Sequence, residues 1–232
     1  MFPQWDFIDI DNIEDLHATS IRDYYFNNKW ESDPHDMDPM DVFVEMCEDH
    51  LNAHIFECLL TFRETDDYRF LKEEFSFIEK YKSAWEHSPY PPTFVTCDGV
   101  VVQSGHLLLV QRRASPGAGL WALPGGFVDQ YESVDDAVLR ELREETKLKV
   151  PAPVLKGSIK ERKVFDHPHR SLRGRTITHA YLIELNPGPL PPVKGGDDAA
   201  KAKWFPISEV MDMTEKLFED HADIINYFVG RV

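Results

Sequence analysis

The sequence predicts an α/β fold in which a mixed β-sheet is sandwiched between helices. Three observations support this prediction. Strand-like runs follow one another after residue 90 with few helices between them, one charged amphipathic helix interrupts them near residue 134, and an apolar helix lies at the end of the chain. The proline-rich segment 88–93 favours a stiff connector, so we expect one domain over residues 89–232 and a separate, mostly helical segment over residues 1–88.

The first segment has its own pattern. Residues 1–11 are compatible with a strand, and a helix is expected to begin near residue 19. Residues 27–41 are rich in Asn, Asp and Pro and predict a loop. Residues 42–62 and 68–85 have the apolar spacing of helices.

The second segment begins with a predicted hairpin. Two β-rich runs flank the turn at residues 103–106, and a short strand with a Pro-Gly-Gly turn inside it follows at 121–128. Further strands are expected at 178–185 and 202–205. The final helix should place one apolar face inward, with Leu217, Phe218, His221, Ile224, Ile225 and Phe228.

The helix that follows Ser133 has clear start and packing signals. Ser133 is a favourable N-cap, and Asp136 stands three residues later in a capping-box position. Val134, Val138 and Leu142, together with Ala137, form one apolar stripe. This stripe should anchor the helix to the sheet, and the opposite side should project polar groups.

The net charge of −16 is unevenly distributed. Residues 1–90 carry 22 acidic and 7 basic side chains (net −15), whereas residues 91–232 carry 19 acidic and 18 basic ones (net −1). A chain this acidic is not expected to bind nucleic acid. Residues 156–175 hold seven Lys or Arg against two acids. They form either a solvated loop of mixed charge or a patch that faces a compact anionic ligand.

Neither a membrane span nor a leader is expected. No apolar run approaches the ~20 residues of a transmembrane helix, and the acidic N-terminus lacks a basic signal-peptide region. The three cysteines, Cys47, Cys58 and Cys97, have no metal-ligand or paired spacing. They therefore favour free thiols and a cytoplasmic location, with no membrane partner.

Three glutamates cluster on one turn of the charged helix. At ~100° per residue, Glu141, Glu144 and Glu145 lie within an arc of about 100°. Like charges at this spacing repel each other, so the cluster implies a cation as its partner. Carboxylate oxygens suit Mg²⁺ or Mn²⁺. The alternative is a solvated charged face on which the glutamates pair with basic residues of the same helix.

The full spacing resembles the Nudix hydrolase signature. Gly126, Glu132 and the run from Arg140 to Glu145 match that pattern, and the small and aliphatic positions before the run also fit. One departure is Lys147, where the family usually has glycine. Because this position closes the helix in left-handed geometry, we expect a small loss of stability and no loss of a metal ligand.

The resemblance implies a role for each signature residue. The residues that would bind Mg²⁺, or alternatively Mn²⁺, are Glu141, Glu144, Glu145 and Gly126. Arg140 would orient a glutamate through a charge-assisted pair, and Glu132 would support the loop or an outer metal. Glu141 and Arg140 join Glu145 as the catalytic set. Glu145 is the expected general base, with Glu161 as a weaker alternative.

The likeness extends over residues 65–232, to the Nudix half of bifunctional NMN adenylyltransferase/Nudix hydrolases. GLWALPGGFV and KGGDDAAKAKWFPISEV are two of the matching stretches. That half resembles an ADP-ribose pyrophosphatase, which implies hydrolysis of ADP-ribose, a small nucleotide, to AMP and ribose 5-phosphate. The candidate substrate-binding residues are Arg112, Arg113, Trp121, Arg173 and Arg175, with Arg170 as a further phosphate candidate. Trp121 either stacks on a base or fills the core.

Residues 1–88 resemble the end of the adenylyltransferase domain. Leu16-His17-Ala18-Thr19, followed by Arg22, resembles its second phosphate motif. The early Gly-rich loop and the HxGH-like motif do not occur, so we expect an incomplete remnant that acts as a helical cap or a dimer contact. A homodimer is possible.

Two other classes stay open. Some transcriptional regulators resemble this Nudix domain and bind ADP-ribose without cleaving it, but they carry a winged-helix segment and often a degraded signature. The intact carboxylates favour the enzyme. A truncated NMN adenylyltransferase is the third hypothesis, and an HxGH sequence upstream of Met1 in the gene would support it.

Overall fold

The computed structural model describes Arg22, Tyr25, Phe26 and residues 53–230. The chain divides into two compact units, Met1–Glu79 and Lys80–Val232. Helix α1 spans Ala53–Arg63 in the first unit, and α2 begins there and spans Asp66–Ser83. The predictions for residues 1–21, 27–41 and 42–52, including the Leu16–Thr19 part of the phosphate motif, lie outside the described residues.

An aromatic cluster organises the described part of the first unit. The hydroxyl of Tyr68 donates to the carbonyl of Tyr25 at 2.9 Å, and the hydroxyl of Tyr25 donates to the carbonyl of Leu59 at 2.6 Å. The rings of Phe26 and Tyr68 stack with centroids 5.4 Å apart. Buried tyrosines with satisfied hydroxyl groups hold these helices together.

The described part of the second unit contains one seven-stranded mixed sheet. Its strands are β1 (Phe94–Gln103), β2 (His106–Arg112), β3 (Trp121–Ala122), β4 (Gly125–Phe127), β5 (Ile159–Phe165), β6 (Thr176–Glu184) and β7 (Ala199–Pro206). The order is β3-β2-β1-β6-β5, with β4 paired to β1 and β7 paired to β2. The pair β1–β6 is parallel, and the remaining pairs are antiparallel.

Helices cover both faces of this sheet, as predicted. The helices of the second unit are α3 (Val134–Thr146), α4 (Ala152–Gly157), α5 (Ile207–Met211) and α6 (His221–Val229), and a 3₁₀ turn spans Thr214–Lys216. On one face the stripe of α3, with Val138 and Leu142 fully buried, packs beside Tyr181. On the other face Ile224 and Phe228 of α6 pack beside Val100. None of the described helices is long and apolar enough to cross a membrane.

The ends of α3 follow the sequence. The Oγ of Ser133 accepts a hydrogen bond from the N–H of Asp136 at 3.2 Å, which satisfies a backbone donor of the first turn. Lys147 closes the helix at φ 51° and ψ 26°, the left-handed conformation expected there. Its N–H donates to the carbonyl of Arg143 at 3.0 Å.

Several details differ from the predictions. The predicted strand at 121–128 is two strands, β3 and β4, separated by Leu123 and Pro124. Leu217 and Phe218 precede α6 rather than belonging to it, because the chain turns at Glu219 with φ 45°. The basic stretch contributes β5, whose mostly exposed residues give no alternating apolar signal. Short helices α4 and α5 were not predicted.

Candidate functional site

A cavity of about 280 Å³ lies where the ends of β1, β4 and α3 meet three loops. Acidic and basic side chains both line this cavity, which suits a ligand with anionic and neutral parts. Its charged or titratable wall residues are Asp98, Asp129, Glu141, Glu145, Asp197, Asp198, Glu219, His221, Arg112, Arg113, Arg170 and Arg173.

Glu145 is the most buried signature carboxylate, with 8% of its surface exposed. Its Oε2 accepts a hydrogen bond from the N–H of Gly125 at 2.9 Å, so β4 fixes the side chain from the opposite side of the cavity. Burial raises the pKa of Glu145 to about 8, against the lowering effect of that hydrogen bond; the charge of Glu141 raises it further. A buried carboxyl group with such a pKa in a cleft marks a candidate functional residue.

Glu141 lies directly against the Pro-Gly-Gly turn. A Cβ atom added at Gly126 would stand 2.5 Å from Oε1 of Glu141, so any other residue at this position would have to displace the carboxylate. Burial also raises the pKa of Glu141, while the guanidinium of Arg140 acts in the opposite direction. Gly126 therefore permits the close approach of loop and helix that was expected at this position.

Arg140 holds the carboxylates of this helix in place. Its Nη2 donates to Oε1 of Glu132 at 2.6 Å and its Nε donates to Oε2 at 3.0 Å, a two-pronged contact. Its Nη1 donates to Glu141 at 2.8 Å and to Glu144 at 3.0 Å. The hydrogen bond from Arg140 lowers the pKa of Glu132. Arg140 thus connects the loop glutamate with two helix glutamates.

The three helix glutamates do not all reach the cavity. Glu141 and Glu145 line it, whereas Glu144 lies outside its walls with 45% of its side chain exposed. Within the described ranges, no three Asp, Glu, His or Cys side chains gather closely enough to form a complete metal site. A Mg²⁺ ion bound here would take the rest of its ligands from phosphate and water, which is usual for this ion.

The residues present nevertheless fit a divalent cation. Glu141 and Glu145 offer carboxylate oxygens, the ligand type that Mg²⁺ and Mn²⁺ prefer. Burial raises the pKa of both groups, so a cation would relieve the cost of their ionisation. Gly126 leaves the space beside Glu141 that a side chain would fill.

The same cavity is also lined by Arg112, Arg113 and Arg173. Arg112 lies with its Cζ 4.1 Å from the ring centroid of Phe218, and burial together with the nearby charge of Arg173 lowers its pKa. Arg113 donates to the carbonyl of Ala199 at 3.1 Å. Arg173, whose side chain is 14% exposed, lies 3.8 Å from Glu219. The two cations near Phe218 repel each other, so an anion between them would be stabilised.

Other candidates lie elsewhere or are engaged. Arg170 lines the cavity, but its Nη2 and Nε donate to both carboxylate oxygens of Asp220 at 2.7 and 2.9 Å. Arg175 is not among the wall residues, and its guanidinium donates to the carbonyl of Asp166. Trp121 also lies outside the walls, and the centroid of its ring is 4.7 Å from that of Phe205. Of the two roles considered for Trp121, this position corresponds to filling the core and not to stacking on a base. Glu161 is exposed on β5 and accepts from Tyr227 at 2.9 Å.

Sequence reasoning missed six charged or titratable wall residues, which are Asp98, Asp129, Asp197, Asp198, Glu219 and His221. Asp98 stands alone in an apolar strand, and His221 was assigned only to the apolar face of the last helix. A single acid inside a run such as FVTCDGVVV was the available signal, because an unpartnered buried carboxylate is costly. Only the fold shows that the side chains of Asp98 and His221 meet.

The second unit is similar to a known protein family. The profile of the NUDIX domain matches residues 93–228. An ADP-ribose pyrophosphatase of Methanocaldococcus jannaschii is 36% identical over 152 residues, which cover 66% of this chain and 82% of that protein.

Solved structures extend the comparison. A bifunctional NMN adenylyltransferase/ADP ribose pyrophosphatase from Francisella tularensis, complexed with AMP and a Mn ion, has a TM-score of 0.81 and 35% identity. The match covers 99% of this chain and 65% of that one, so this chain spans slightly less than two thirds of the Francisella protein. The NUDIX domain of Shewanella oneidensis NrtR, complexed with ADP ribose, has a TM-score of 0.53 and 28% identity, covering 66% of this chain and 97% of that one.

Proposed function

Since the chain belongs to the NUDIX family and is a Nudix pyrophosphohydrolase, we propose that it hydrolyses ADP-ribose to AMP and ribose 5-phosphate with the help of Mg²⁺. One observation carries the proposal. One cavity is lined by the carboxylates of Glu141 and Glu145 and also by Arg112 and Arg173. A diphosphate would suit this lining, because the arginines would bind it directly and the acids would hold a divalent cation in the same cavity.

The arginines and the glutamates of the cavity have different proposed roles. Arg112 and Arg173 bind and orient the diphosphate, and Arg113 lines the same side of the cavity. Glu141 and Glu145 would hold the divalent cation, with Glu144 as a further carboxylate of the same helix. Arg140 positions Glu141 and Glu144, and the N–H of Gly125 positions Glu145. When bound, the cation neutralises the diphosphate and lowers the pKa of an attacking water.

Glu145 is the proposed general base. Its carboxylate lines the cavity and is fixed by the N–H of Gly125, so its position is suited to accepting a proton from a water molecule bound there. Glu161, the alternative base, lies on the exposed edge strand β5 and outside the cavity walls. The position of Glu161 makes it a matched control for experiments on Glu145.

The decisive experiment measures AMP release from ADP-ribose with Mg²⁺ or Mn²⁺ and after EDTA. NADH and a sugar nucleotide serve as comparison substrates. We expect turnover that requires the metal, falls at least ~100-fold in Glu145→Gln and is retained in Glu161→Gln. Metal-independent turnover, or equal loss in both variants, would overturn the assignment of the carboxylates.

A second outcome would change the class of the protein. The NUDIX domain of NrtR binds ADP ribose in its solved complex. Micromolar binding of ADP-ribose by this chain without turnover would place it with ligand sensors instead of hydrolases. Calorimetry on the wild-type chain, run beside the activity assay, separates these possibilities.

A further inference from the structure

Asp98 is a buried carboxylate on the wall of the cavity with no part in the proposed cation site. Its Oδ2 accepts a hydrogen bond from the Oγ1 of Thr178 at 2.5 Å, across the parallel pair β1–β6. Its Oδ1 lies beside Gly125, at 2.8 Å from where a Cβ would stand. One oxygen is thus held by the sheet, and the other has no hydrogen-bond donor among the described residues.

His221 presents a donor to the same place. Its Nδ1 accepts a hydrogen bond from the N–H of Leu123 at 2.9 Å, so the ring proton is on Nε2. Burial lowers the pKa of His221, which keeps the ring neutral. The distance from Nε2 to Oδ1 of Asp98 is 3.8 Å, too long for a direct hydrogen bond.

The acceptor of Asp98 and the donor of His221 lie side by side on the cavity wall, so one group in the cavity can contact both of them. A hydroxyl group donates one hydrogen bond and accepts others, so an oxygen about 2.7–2.9 Å from both atoms satisfies Asp98 and His221 together. An amino group offers no lone pair to His221 when it is conjugated to a base. A phosphate oxygen would be repelled by Asp98.

We propose that a ribose hydroxyl of the substrate lies against Asp98 and His221 on the cavity side of the pair, donating to Oδ1 of Asp98 and accepting from Nε2–H of His221. This inference rests on the proposed function, because it names the part of ADP-ribose that the acidic wall of that site recognises. The pair makes the enzyme selective for sugar hydroxyls, since a site built around a hydroxyl rejects an analogue that lacks it.

The test is a matrix of variants and substrates. The variants are Asp98→Asn, which keeps shape and removes charge, and His221→Asn, which keeps an acceptor for Leu123 and removes the Nε2 donor. Asp223→Asn, at an exposed position on α6, is the control. The substrates are ADP-ribose and analogues that each lack one hydroxyl, on either the adenosine or the terminal ribose. Initial rates give kcat/KM, and calorimetry gives the affinity for each compound.

We expect Asp98 and His221 to recognise one particular hydroxyl group of the substrate. Wild type should lose roughly 10- to 100-fold in kcat/KM when that hydroxyl is removed. Asp98→Asn should lose a similar factor on ADP-ribose and then show little further loss with that analogue, while every other deoxy analogue loses as in wild type.

Other outcomes would overturn the inference. If the Asp98 and His221 variants lose activity equally on all analogues, the pair only supports the fold. If wild type discriminates against none of the analogues, Asp98 and His221 contact solvent and no substrate group. Failure of wild type to hydrolyse ADP-ribose would instead reject the proposed function, and calorimetry would still test hydroxyl recognition. Absence of both turnover and binding would reject both proposals.

Discussion

Gly126 and Glu141 lie so close that any side chain at residue 126 would collide with a carboxylate: the ideal Cβ position is 2.5 Å from Oε1 and 2.7 Å from Cδ of Glu141. The Pro-Gly-Gly turn and helix α3 thus meet through a glycine on one side and an acid on the other. This contact sets where Glu141 points within the cavity, so it links a backbone feature to the proposed chemistry.

Gly126→Ala should therefore uncouple activity from overall folding. Its methyl group must displace the Glu141 carboxylate, so we expect at least ~10-fold loss of kcat/KM. Because the displaced atoms are the end of a flexible side chain, stability should fall by less than about 1 kcal/mol. Gly157→Ala, which meets nothing within 4 Å, is the control and should keep full activity. Kinetics and urea denaturation of both variants provide the check, and an active Gly126→Ala protein would contradict the role of this contact.

Arg140→Lys should weaken use of the metal more than it weakens the fold. Lysine keeps the charge but cannot contact both oxygens of Glu132 while reaching Glu141, so the carboxylates lose their fixed positions. We expect a metal requirement about 10- to 100-fold higher. The measurement is activity across a Mg²⁺ titration, with Arg143→Lys, on an exposed part of the same helix, as the matched variant. Identical titrations for both variants would refute this prediction.

Lys147→Gly should stabilise the protein. Lys147 occupies left-handed backbone at φ 51°, a conformation that costs a residue with a Cβ about 1 kcal/mol and glycine almost nothing. We expect a gain of about 1 kcal/mol in the free energy of unfolding and unchanged activity. Thermal and chemical denaturation measure the gain. Lys149→Gly, which lacks positive φ, should give none.

Stability should fall on acidification because of His221. Burial lowers its folded-state pKa below the ordinary value of 6.5, although Asp98, Asp220 and Glu219 act in the opposite direction and Arg170 acts with burial. Below pH 6.5 the unfolded chain binds a proton that the folded chain binds more weakly, so the contribution is complete above that pH and lost as pH falls toward the folded pKa.

The check compares unfolding free energies at pH 7.5 and pH 5.5. His221→Asn should show a smaller decrease than wild type, since the titrating group is absent while the acceptor for Leu123 is kept. His169→Asn removes an exposed histidine and serves as the control. Equal pH dependence in wild type and His221→Asn would show that another group is responsible.

Local sequence patterns predicted the family of this protein and several of its secondary-structure elements. The spacing from Gly126 to Glu145 indicated the family, and Ser133 and Asp136 marked the start of helix α3 because caps depend on neighbouring residues. The end of α3 at Lys147 came from the position of the family's usual glycine. Alternating and helical apolar patterns also predicted the hairpin and the helices on both faces of the sheet. These features depend on contacts between residues close in the chain, or on a periodicity that a sequence displays directly.

The tertiary structure decided what long-range pairing controls. It brings Asp98 of β1 and His221 of α6 to one cavity wall, although 122 residues lie between them in the sequence. It also leaves Glu144, Trp121 and Arg175 outside that wall. Side chains distant in the sequence meet only through the packing of a sheet between two helical layers. The signature carboxylates of the proposed site are therefore visible in the sequence, whereas the shape of the cavity and the pairing of Asp98 with His221 on its wall arise only from the fold.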